Sequence, residues 1–275
     1  MLTANALSFA YSNGAPALDQ LTLAIKRGEK LAILGANGAG KSTLLTMLNG
    51  SLRPDAGQVE LDGKPVGYDR AGLLALRARV GLVLQDPDDQ LFAATVAEDV
   101  SFGPLNMGLS ADQARRRVEE ALHSMGISAL ARRPTHMLSF GQRKRVAIAG
   151  ILAMRPSVLL LDEPMAGLDP QGATELMATL TALADDGSAV VVATHDMDAA
   201  YGWADRIAIF SQGRIMIDGT PNLVFADAAL VEKAGLRHPV IYQLVTSLIA
   251  SGVLQADIDA PRDSAGLARL LLHGR

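Results

Sequence analysis

A glycine-rich segment, KLAILGANGAGKST at residues 30–43, has the residue types and spacing needed to hold phosphate groups. It fits the pattern G-x-x-x-x-G-K-[ST] between a short apolar run and a predicted helix. Free backbone N–H groups and the start of the helix favour an anion here. Lys41 would reach the β- and γ-phosphates of a nucleotide, and the Ser42 hydroxyl would ligate Mg²⁺. We expect nucleotide contacts from Gly35, Asn37, Gly38, Gly40, Lys41, Ser42 and Thr43. A plain glycine turn has no use for the Lys-Ser pair.

Two carboxylates end a fully apolar predicted strand, VLLLDE at residues 158–163. A buried strand of this kind would place Asp162 at the carboxyl edge of a sheet, where it can hold Mg²⁺ directly or through water. Glu163 projects one residue further and could orient or deprotonate an attacking water. A strand that merely ends in two acids is the other explanation, and the phosphate-binding pattern upstream disfavours it.

The composition narrows the class of protein. The 275 residues, 49% of them apolar, allow one large domain or a core with an appendage. A net charge of −4 does not suggest a nucleic-acid-binding surface, and without cysteine there is no disulfide or thiolate metal site. No signal peptide is visible, and every apolar run is far below the roughly 20 residues that span a bilayer. We expect a soluble chain, or one attached to a membrane through other subunits.

The elements that would position these residues follow an alternation of strands and helices, which predicts an α/β parallel sheet with helices on its faces. Residues 1–34 alternate apolar and polar positions, with turns at Ser12-Asn13-Gly14 and Arg27-Gly28, and predict antiparallel strands. Further strands are predicted at 57–63, 80–84, 158–161, 189–193 and 207–210, and a helix at about 171–184.

A helical block of about 87–155 interrupts the strands. Capping-box spacing at Thr95/Glu98 and Ser110/Gln113 predicts two helix starts there. After Pro221 the pattern becomes helical again. Leu236, Val240, Leu244 and Leu248 share one helical face, so we expect this extension to pack on the core or on a second copy.

A short motif, LSFGQRKR at residues 138–145, can be interpreted in two ways. Ser139 and Gln142 have capping-box spacing, so this helix start is either aimed at an anion or an ordinary cap worth about 1 kcal/mol. Here the chain resembles the ATP-binding cassette ATPases, whose signature is LSGGQ. It matches at Leu138, Ser139, Gly141 and Gln142 and departs at Phe140. If that position needed a positive φ, phenylalanine would be strained there.

Other motifs follow in the order of that family. Gln85 resembles the glutamine that senses Mg²⁺ and contacts a transmembrane partner, and His195 the histidine that contacts the γ-phosphate. Residues 166–169, Ala-Gly-Leu-Asp, resemble a loop that touches the opposite subunit, where many members have Ser-Ala-Leu-Asp. Tyr11 stands where the family places an aromatic ring on adenine.

The resemblance covers about residues 1–220 and implies a P-loop NTPase (RecA-like) core. An antiparallel β subdomain, an inserted α-helical subdomain at about 87–155 and a C-terminal helical extension at 221–275 complete the expected fold. The implied cofactors are ATP and Mg²⁺. The implied roles are Glu163, His195 and Gln85 in catalysis, Tyr11 on the nucleotide, and Ser42, Gln85 and Asp162 on the metal.

The family arrangement also implies a pair of chains. A second copy, or a close paralogue, would supply Ser139, Gly141 and Gln142 to each nucleotide. ATP would close the pair, and its hydrolysis would release it.

Residues 85–109, QDPDDQLFAATVAEDVSFGPLNMGL, resemble the ATPases of energy-coupling-factor importers for vitamins and transition-metal ions. The cobalt and nickel branch is nearest, since residues 235–244 also resemble its region after the core. This implies a peripheral ATPase on the cytoplasmic face of the cell membrane, with integral-membrane subunits docking near 85–109. The cargo, cobalt first and nickel next, would be bound by those subunits. Alternatives are a vitamin importer and, less favoured, a soluble cassette ATPase or a P-loop kinase or GTPase.

Overall fold

The computed structural model describes residues 1–12, 14–255, 258 and 260–273. The predicted Ser12-Asn13-Gly14 turn contains Asn13, which lies outside these residues. The strands are β1 (Leu2–Ala10), β2 (Pro16–Ile25), β3 (Lys30–Gly35), β4 (Ala56–Leu61), β5 (Lys64–Pro65), β6 (Val80–Val83), β7 (Val158–Asp162), β8 (Ala189–Thr194), β9 (Arg206–Ser211) and β10 (Arg214–Gly219). The helices are α1 (Lys41–Leu48), α2 (Arg70–Arg77), α3 (Val96–Asn106), α4 (Ala111–Ser124), α5 (Phe140–Leu152), α6 (Pro170–Asp185), α7 (Met197–Trp203), α8 (Pro221–Ala226), α9 (Ala228–Lys233), α10 (Val240–Ala250) and α11 (Ser264–His273).

A six-stranded sheet in the order β10-β9-β3-β8-β7-β6 forms the centre of the described chain. Neighbours from β9 to β6 pair in parallel, and β10 pairs antiparallel with β9. Every residue of β7 and β8 is buried, because helices cover both faces of the sheet. This sheet confirms the predicted α/β core. Its strand order places the carboxyl ends of β3 and β7 on either side of that of β8.

Successive side chains of the central strands point to opposite faces of the sheet. On one face, Leu160 joins the core formed with α1 and the antiparallel strands. On the other, Leu159 and Leu161 join the core formed with α3, α4, α5 and α6. Both faces therefore hold the strand that ends in Asp162, which fixes where its carboxylate lies.

The predicted antiparallel strands form a second sheet in the order β2-β1-β4-β5. The β1–β2 register aligns Leu2 with Ile25, and these two side chains are fully buried. The start of β2 approaches the loop between β3 and α1 so closely that a Cβ on Gly40 would lie 2.4 Å from the Ala17 carbonyl oxygen. The sheet thus forms a wall beside that loop.

The chain between β6 and β7 is helical, with short 3₁₀ turns at Pro87–Asp89, Ser128–Leu130 and Thr135–Met137 besides α3, α4 and α5. The capping boxes predicted for Thr95/Glu98, Ser110/Gln113 and Ser139/Gln142 are confirmed: in each, both hydrogen bonds are present. A cap of this type fixes where a helix begins. An extent of about 87–155 for the helical subdomain stays a prediction.

Part of the apolar face predicted for the C-terminal extension packs on this chain, since Leu236 packs against the core. Val240 and Leu244 are about half exposed, whereas Val245 is buried and Ile241 and Tyr242 pack against the core beside α7 and α8. Val240 and Leu244 do not pack on this chain because α10 docks with its Ile241 and Val245 side toward the core, and packing of the exposed side on a second copy stays a prediction. The start of α10 is held by Asp198, which accepts from the Val240 N–H at 2.6 Å. Within the described ranges, no helix combines the length and apolar composition needed to cross a membrane.

Candidate functional site

A cleft of about 420 Å³ lies at the carboxyl edge of the six-stranded sheet. It is bounded by the loop between β3 and α1, the start of β2, and the residues that follow β6 and β7. Its lining includes many predicted site residues: Tyr11, Asn37, Gly38, Gly40, Lys41, Ser42, Thr43, Gln85, Asp162 and Glu163. The topology therefore gathers residues that are up to about 150 positions apart in the sequence into one site.

The loop before α1 has the conformation that an anion-binding turn requires. Gly38 and Gly40 have φ values of 81° and 104°, a region that glycine adopts without a steric penalty. Gly40 is the N-cap of α1 and provides no side-chain cap. The N–H groups of the first turn are therefore left for another acceptor, and the positive end of the helix dipole points the same way.

Gly35 is not among the residues that line the cleft, and its contact with a nucleotide stays a prediction. A Cβ there would lie 2.6 Å from the Phe210 carbonyl oxygen, so glycine lets β3 and β9 approach each other. The Gly35 carbonyl accepts a hydrogen bond from Lys41 Nζ at 2.6 Å, and the Ala36 carbonyl accepts another at 3.1 Å. Gly35 thus shapes the loop and orients its lysine.

Lys41, Asp162 and Glu163 bring charge into a buried place, each being less than a tenth exposed. Burial lowers the pKa of Lys41, and the carboxylates of Glu163 and Asp162 oppose that effect. Burial likewise raises the pKa of Asp162, against a hydrogen bond from Ser42. A charged ligand would find these groups already desolvated, which strengthens electrostatic interactions.

Glu163 is held on both carboxylate oxygens. Oε1 lies 2.7 Å from His195 Nδ1, and Oε2 accepts a hydrogen bond from Thr194 Oγ1 at 3.0 Å. Its own backbone has φ = 44°, an uncommon conformation that points the side chain from the end of β7 into the cleft. His195, which was predicted as a site residue, does not line the cleft but contacts the site through its hydrogen bond with Glu163, and its ring is largely exposed.

Ser42, Asp162 and Gln85 offer a hydroxyl, a carboxylate and an amide oxygen in the same cleft, with Ser42 hydrogen-bonded to Asp162. Oxygen donors of this kind suit Mg²⁺, which keeps several waters and binds through one or two carboxylates together with phosphates. The residues present therefore fit a magnesium ion.

Tyr11 stands at the mouth of the cleft, about half exposed. Its hydroxyl is 3.1 Å from Thr43 Oγ1, and its ring meets Phe9 edge-on at 5.0 Å between centroids. The ring is thus supported at the edge of the phosphate loop, where a flat ligand group can stack on it.

The signature segment lies elsewhere. Ser139, Gly141 and Gln142 form the start of α5 and are not among the residues that line the cleft. Phe140 is the first residue of α5 and has helical backbone, so the strain considered for it does not arise. One chain therefore presents two separate parts, the cleft and an exposed helix start.

Lys144 is a residue of this site that the sequence reasoning missed. Its side chain is fully buried, and Nζ donates to the carbonyls of Leu84 at 3.3 Å and Gln85 at 2.5 Å. Burial lowers its pKa, while Asp162, Asp86 and Glu163 favour its charged form. Spacing was the available signal, since Lys144 precedes the buried Ala147 and Ile148 by three and four positions and so shares their face.

Comparison with known proteins adds a family to this geometry. The ABC transporter family matches residues 18–166. The cobalt import ATP-binding protein CbiO of Rhodobacter capsulatus is 54% identical over 268 residues, which are 98% of this chain and 96% of the relative. The energy-coupling factor transporter ATP-binding protein EcfA2 of Methanospirillum hungatei is 47% identical over 267 residues, 97% of this chain and 67% of that protein.

Solved structures give the same picture. CbiO1 from Clostridium perfringens, described as part of the ABC transporter complex CbiONQ, aligns with a TM-score of 0.74 and 47% identity over 89% of this chain and 98% of its own. The ATP-binding cassette MJ0796, solved as a dimer in a post-hydrolysis state with ADP and phosphate, aligns with a TM-score of 0.74 and 31% identity, covering 80% and 99%.

Proposed function

Because this chain belongs to the ABC transporter family of ATPases, we propose that its ATP hydrolysis drives import of a transition-metal ion, cobalt first and nickel second, through separate membrane subunits. The family and the relatives named above make it an ATP-binding ATPase subunit of the CbiO and energy-coupling-factor type. The cobalt assignment is supported by the Rhodobacter capsulatus relative. The alternative cargo, a vitamin, is supported by the energy-coupling-factor relative.

The observation that carries the chemistry is the meeting of Lys41, Asp162 and Glu163 at the start of α1. The free N–H groups of α1 and the Lys41 ammonium bind and orient the phosphates of ATP. Mg²⁺, when bound, supplies positive charge that offsets charge developing on the phosphate oxygens. Ser42, Gln85 and Asp162 would hold it.

Glu163 acts as the general base in this proposal. It accepts the proton of the attacking water on a carboxylate oxygen, and this makes the water a better nucleophile. Thr194 and His195 keep the carboxylate in one orientation through the contacts at 3.0 and 2.7 Å. Tyr11 stacks on the adenine ring, and Asn37 and Thr43 complete the lining near the phosphates.

A second chain completes each site in this proposal. The start of α5, with Ser139, Gly141 and Gln142, is a helix N-terminus that does not line the cleft of its own chain. In a pair of copies, or with a close paralogue, it would meet the nucleotide bound by the other chain. The MJ0796 cassette, solved as a dimer with ADP and phosphate, supports the pairing of two chains.

Membrane subunits would dock near residues 85–109. Phe92, Phe102 and Leu105 each expose about half or more of their surface, and the two aromatic rings contact each other edge-on at 4.7 Å. Asp99 fixes this surface, because Oδ2 accepts from the N–H groups of Phe92 and Ala93, both at 2.9 Å. Exposed apolar surface of this kind is typical of a protein contact. The chain would then sit peripherally on the cytoplasmic face of the membrane.

Uptake into sealed vesicles that contain the assembled transporter tests the cargo. We expect ATP-dependent uptake of radiolabelled cobalt, with nickel second, and no uptake in the matched complex that carries Glu163→Gln. ATP-driven vitamin uptake without metal uptake would replace the cargo with the alternative. A chain that hydrolyses ATP but never co-purifies with membrane proteins would favour the soluble cassette ATPase instead.

A further inference from the structure

Phe140 and Gly167 are two departures from the motifs that the chain otherwise resembles, and the fold brings them into contact. A Cβ built on Gly167 would lie 2.4 Å from both Cδ1 and Cε1 of the Phe140 ring. No real Cβ tolerates that distance, so the ring occupies the space that a side chain at position 167 would need. Gly167 also has φ = 77°, which glycine adopts readily.

The contact belongs to an interface between the start of α5 and the loop that leads to α6, at which Phe140 remains 37% exposed. A Cβ on Gly141 would lie 3.4 Å from Leu168 Cδ2. Further along both helices, Arg145 Nη2 donates to Glu175 Oε2 at 3.0 Å. The two segments therefore have a fixed relative position, and Phe140, the first residue of α5, places its ring on Gly167 at one end of their interface.

The other end of this loop is Glu163. The Ala166 N–H donates to the Glu163 carbonyl at 3.2 Å, and the Leu168 N–H donates to the Met165 carbonyl at 3.1 Å. Asp169 then caps α6 by accepting from the Gly172 N–H at 2.6 Å. Two consecutive turns and a cap leave little freedom between Gly167 and Glu163, so a displacement of one moves the other.

We propose that Phe140 is a positioning residue for hydrolysis: its ring, seated on Gly167, holds the 163–169 loop against α5 and so fixes the Glu163 carboxylate. The inference rests on the proposed function, in which Glu163 is the base and α5 serves the second chain. The helix start that faces one nucleotide and the carboxylate that serves the other are thereby tied together in each copy. A shift of α5 on closure of the pair would be passed to Glu163 through this ring.

A double-mutant cycle in the assembled transporter tests the contact. Gly167→Ala forces the ring and the loop apart, and we expect it to lower kcat about tenfold or more while KM for ATP changes about twofold at most. Adding Phe140→Gly makes room for the new methyl group, so Gly167→Ala should lower kcat little further in that background, and the double variant should be about as active as Phe140→Gly alone. ATP affinity of the full-length chain alone should be the same in all variants.

Gly63→Ala is the matched control. Gly63 has φ = 75°, close to the value at Gly167, but a Cβ there meets nothing within 4 Å. This variant therefore measures the cost of alanine in the left-handed region without a steric contact, and kcat should stay at the wild-type value.

An equal loss from Gly167→Ala with and without Phe140→Gly overturns the proposal, as does a loss seen only in ATP affinity. If Gly167→Ala does not fold, Phe140→Leu and Phe140→Gly replace it: leucine should keep kcat near wild type and glycine should lower it. No difference between these two would also overturn the proposal. Wild-type hydrolysis by Glu163→Gln would instead defeat the proposed function itself, so the two failures are distinct.

Discussion

Glu163 is the proposed general base, and its role makes the first prediction. Glutamine has nearly the same shape, but its amide cannot take up a proton from water. Only one of its two terminal atoms, the amide oxygen, can accept a hydrogen bond. We expect Glu163→Gln to keep ATP binding and to slow phosphate release by about a hundredfold or more. Phosphate release and nucleotide binding by the purified complex are the measurements.

The control for that substitution is Glu120→Gln. Glu120 is an exposed carboxylate that pairs with Arg155 at 2.5 Å, and surface pairs of this kind contribute little. Its phosphate release should match wild type. Rapid hydrolysis by Glu163→Gln would remove Glu163 from the role of base.

Asp162 provides a prediction about stability and pH. Because its pKa is raised in the folded chain, chiefly by burial, the ionised carboxylate is less favourable there than in the unfolded chain. The resulting cost is present in full above the folded-state pKa and disappears as the pH falls toward the unfolded value of 3.8. Asp162→Asn should therefore raise the unfolding temperature at pH 8, and its advantage should shrink as the pH is lowered.

Thermal unfolding of Asp162→Asn and wild type from pH 8 down to about pH 4 checks this sign. The same variant should lose hydrolysis, because the amide is a weaker ligand for Mg²⁺ than a carboxylate. An advantage that grows as the pH falls would contradict the proposed cause.

At the scale of elements, two helices with the same type of N-terminal cap allow an effect on stability to be distinguished from an effect on ATP turnover. Ser110 and Ser139 each cap a helix by the same reciprocal pair of hydrogen bonds. Replacing either with alanine should cost about 1 kcal/mol of stability. Only Ser139→Ala should also impair ATP turnover of the complex, without weakening ATP binding by the chain alone. Urea unfolding and turnover measured on both variants test this, and equal turnover would make Ser139 an ordinary cap.

The same elements show how far a sequence predicts a structure. Thr95, Ser110 and Ser139 were predictable as caps because a capping box is local chemistry within four residues. The side of α10 that packs on the core was not, because it depends on how the helix docks on distant segments, and here Asp198, 42 positions away, holds the start of the helix. The fit of Phe140 on Gly167 is likewise a contact between distant segments, which no local pattern encodes.

The site divides in a similar way. Lys41, Asp162 and Glu163 were predictable because motif and strand burial together place them at one sheet edge. The close approach of Gly35 to Phe210 was not predicted, since the pattern cannot tell a glycine that lines a cleft from one that lets two strands approach. Lys144 was missed because only the folded chain shows that its ammonium meets the carbonyls after β6.

At the scale of the whole molecule, the separation of cleft and α5 within one chain predicts complementation. Lys41→Ala damages a cleft, and Ser139→Ala damages the segment offered to the partner. In a mixed pair, one site combines both defects and the other site has neither. Mixing the two variants should therefore raise ATP hydrolysis above that of either variant alone, measured after the chains have been allowed to exchange.

The control is a mixture in which both chains carry Lys41→Ala, one with and one without Ser139→Ala. Every site of that mixture lacks its lysine, so no activity should return. Failure of the first mixture to recover any activity, with mixed pairs present, would contradict a site shared between chains.

The aromatic surface formed by Phe92, Phe102 and Leu105 has a cost for the cell that makes this chain. Its apolar area is suited to a permanent neighbour, and the same area promotes unspecific association when the neighbour is missing. Surplus copies would then be lost to aggregation or to proteolysis. Production of this chain together with its membrane subunits, in matching amounts, would avoid that loss.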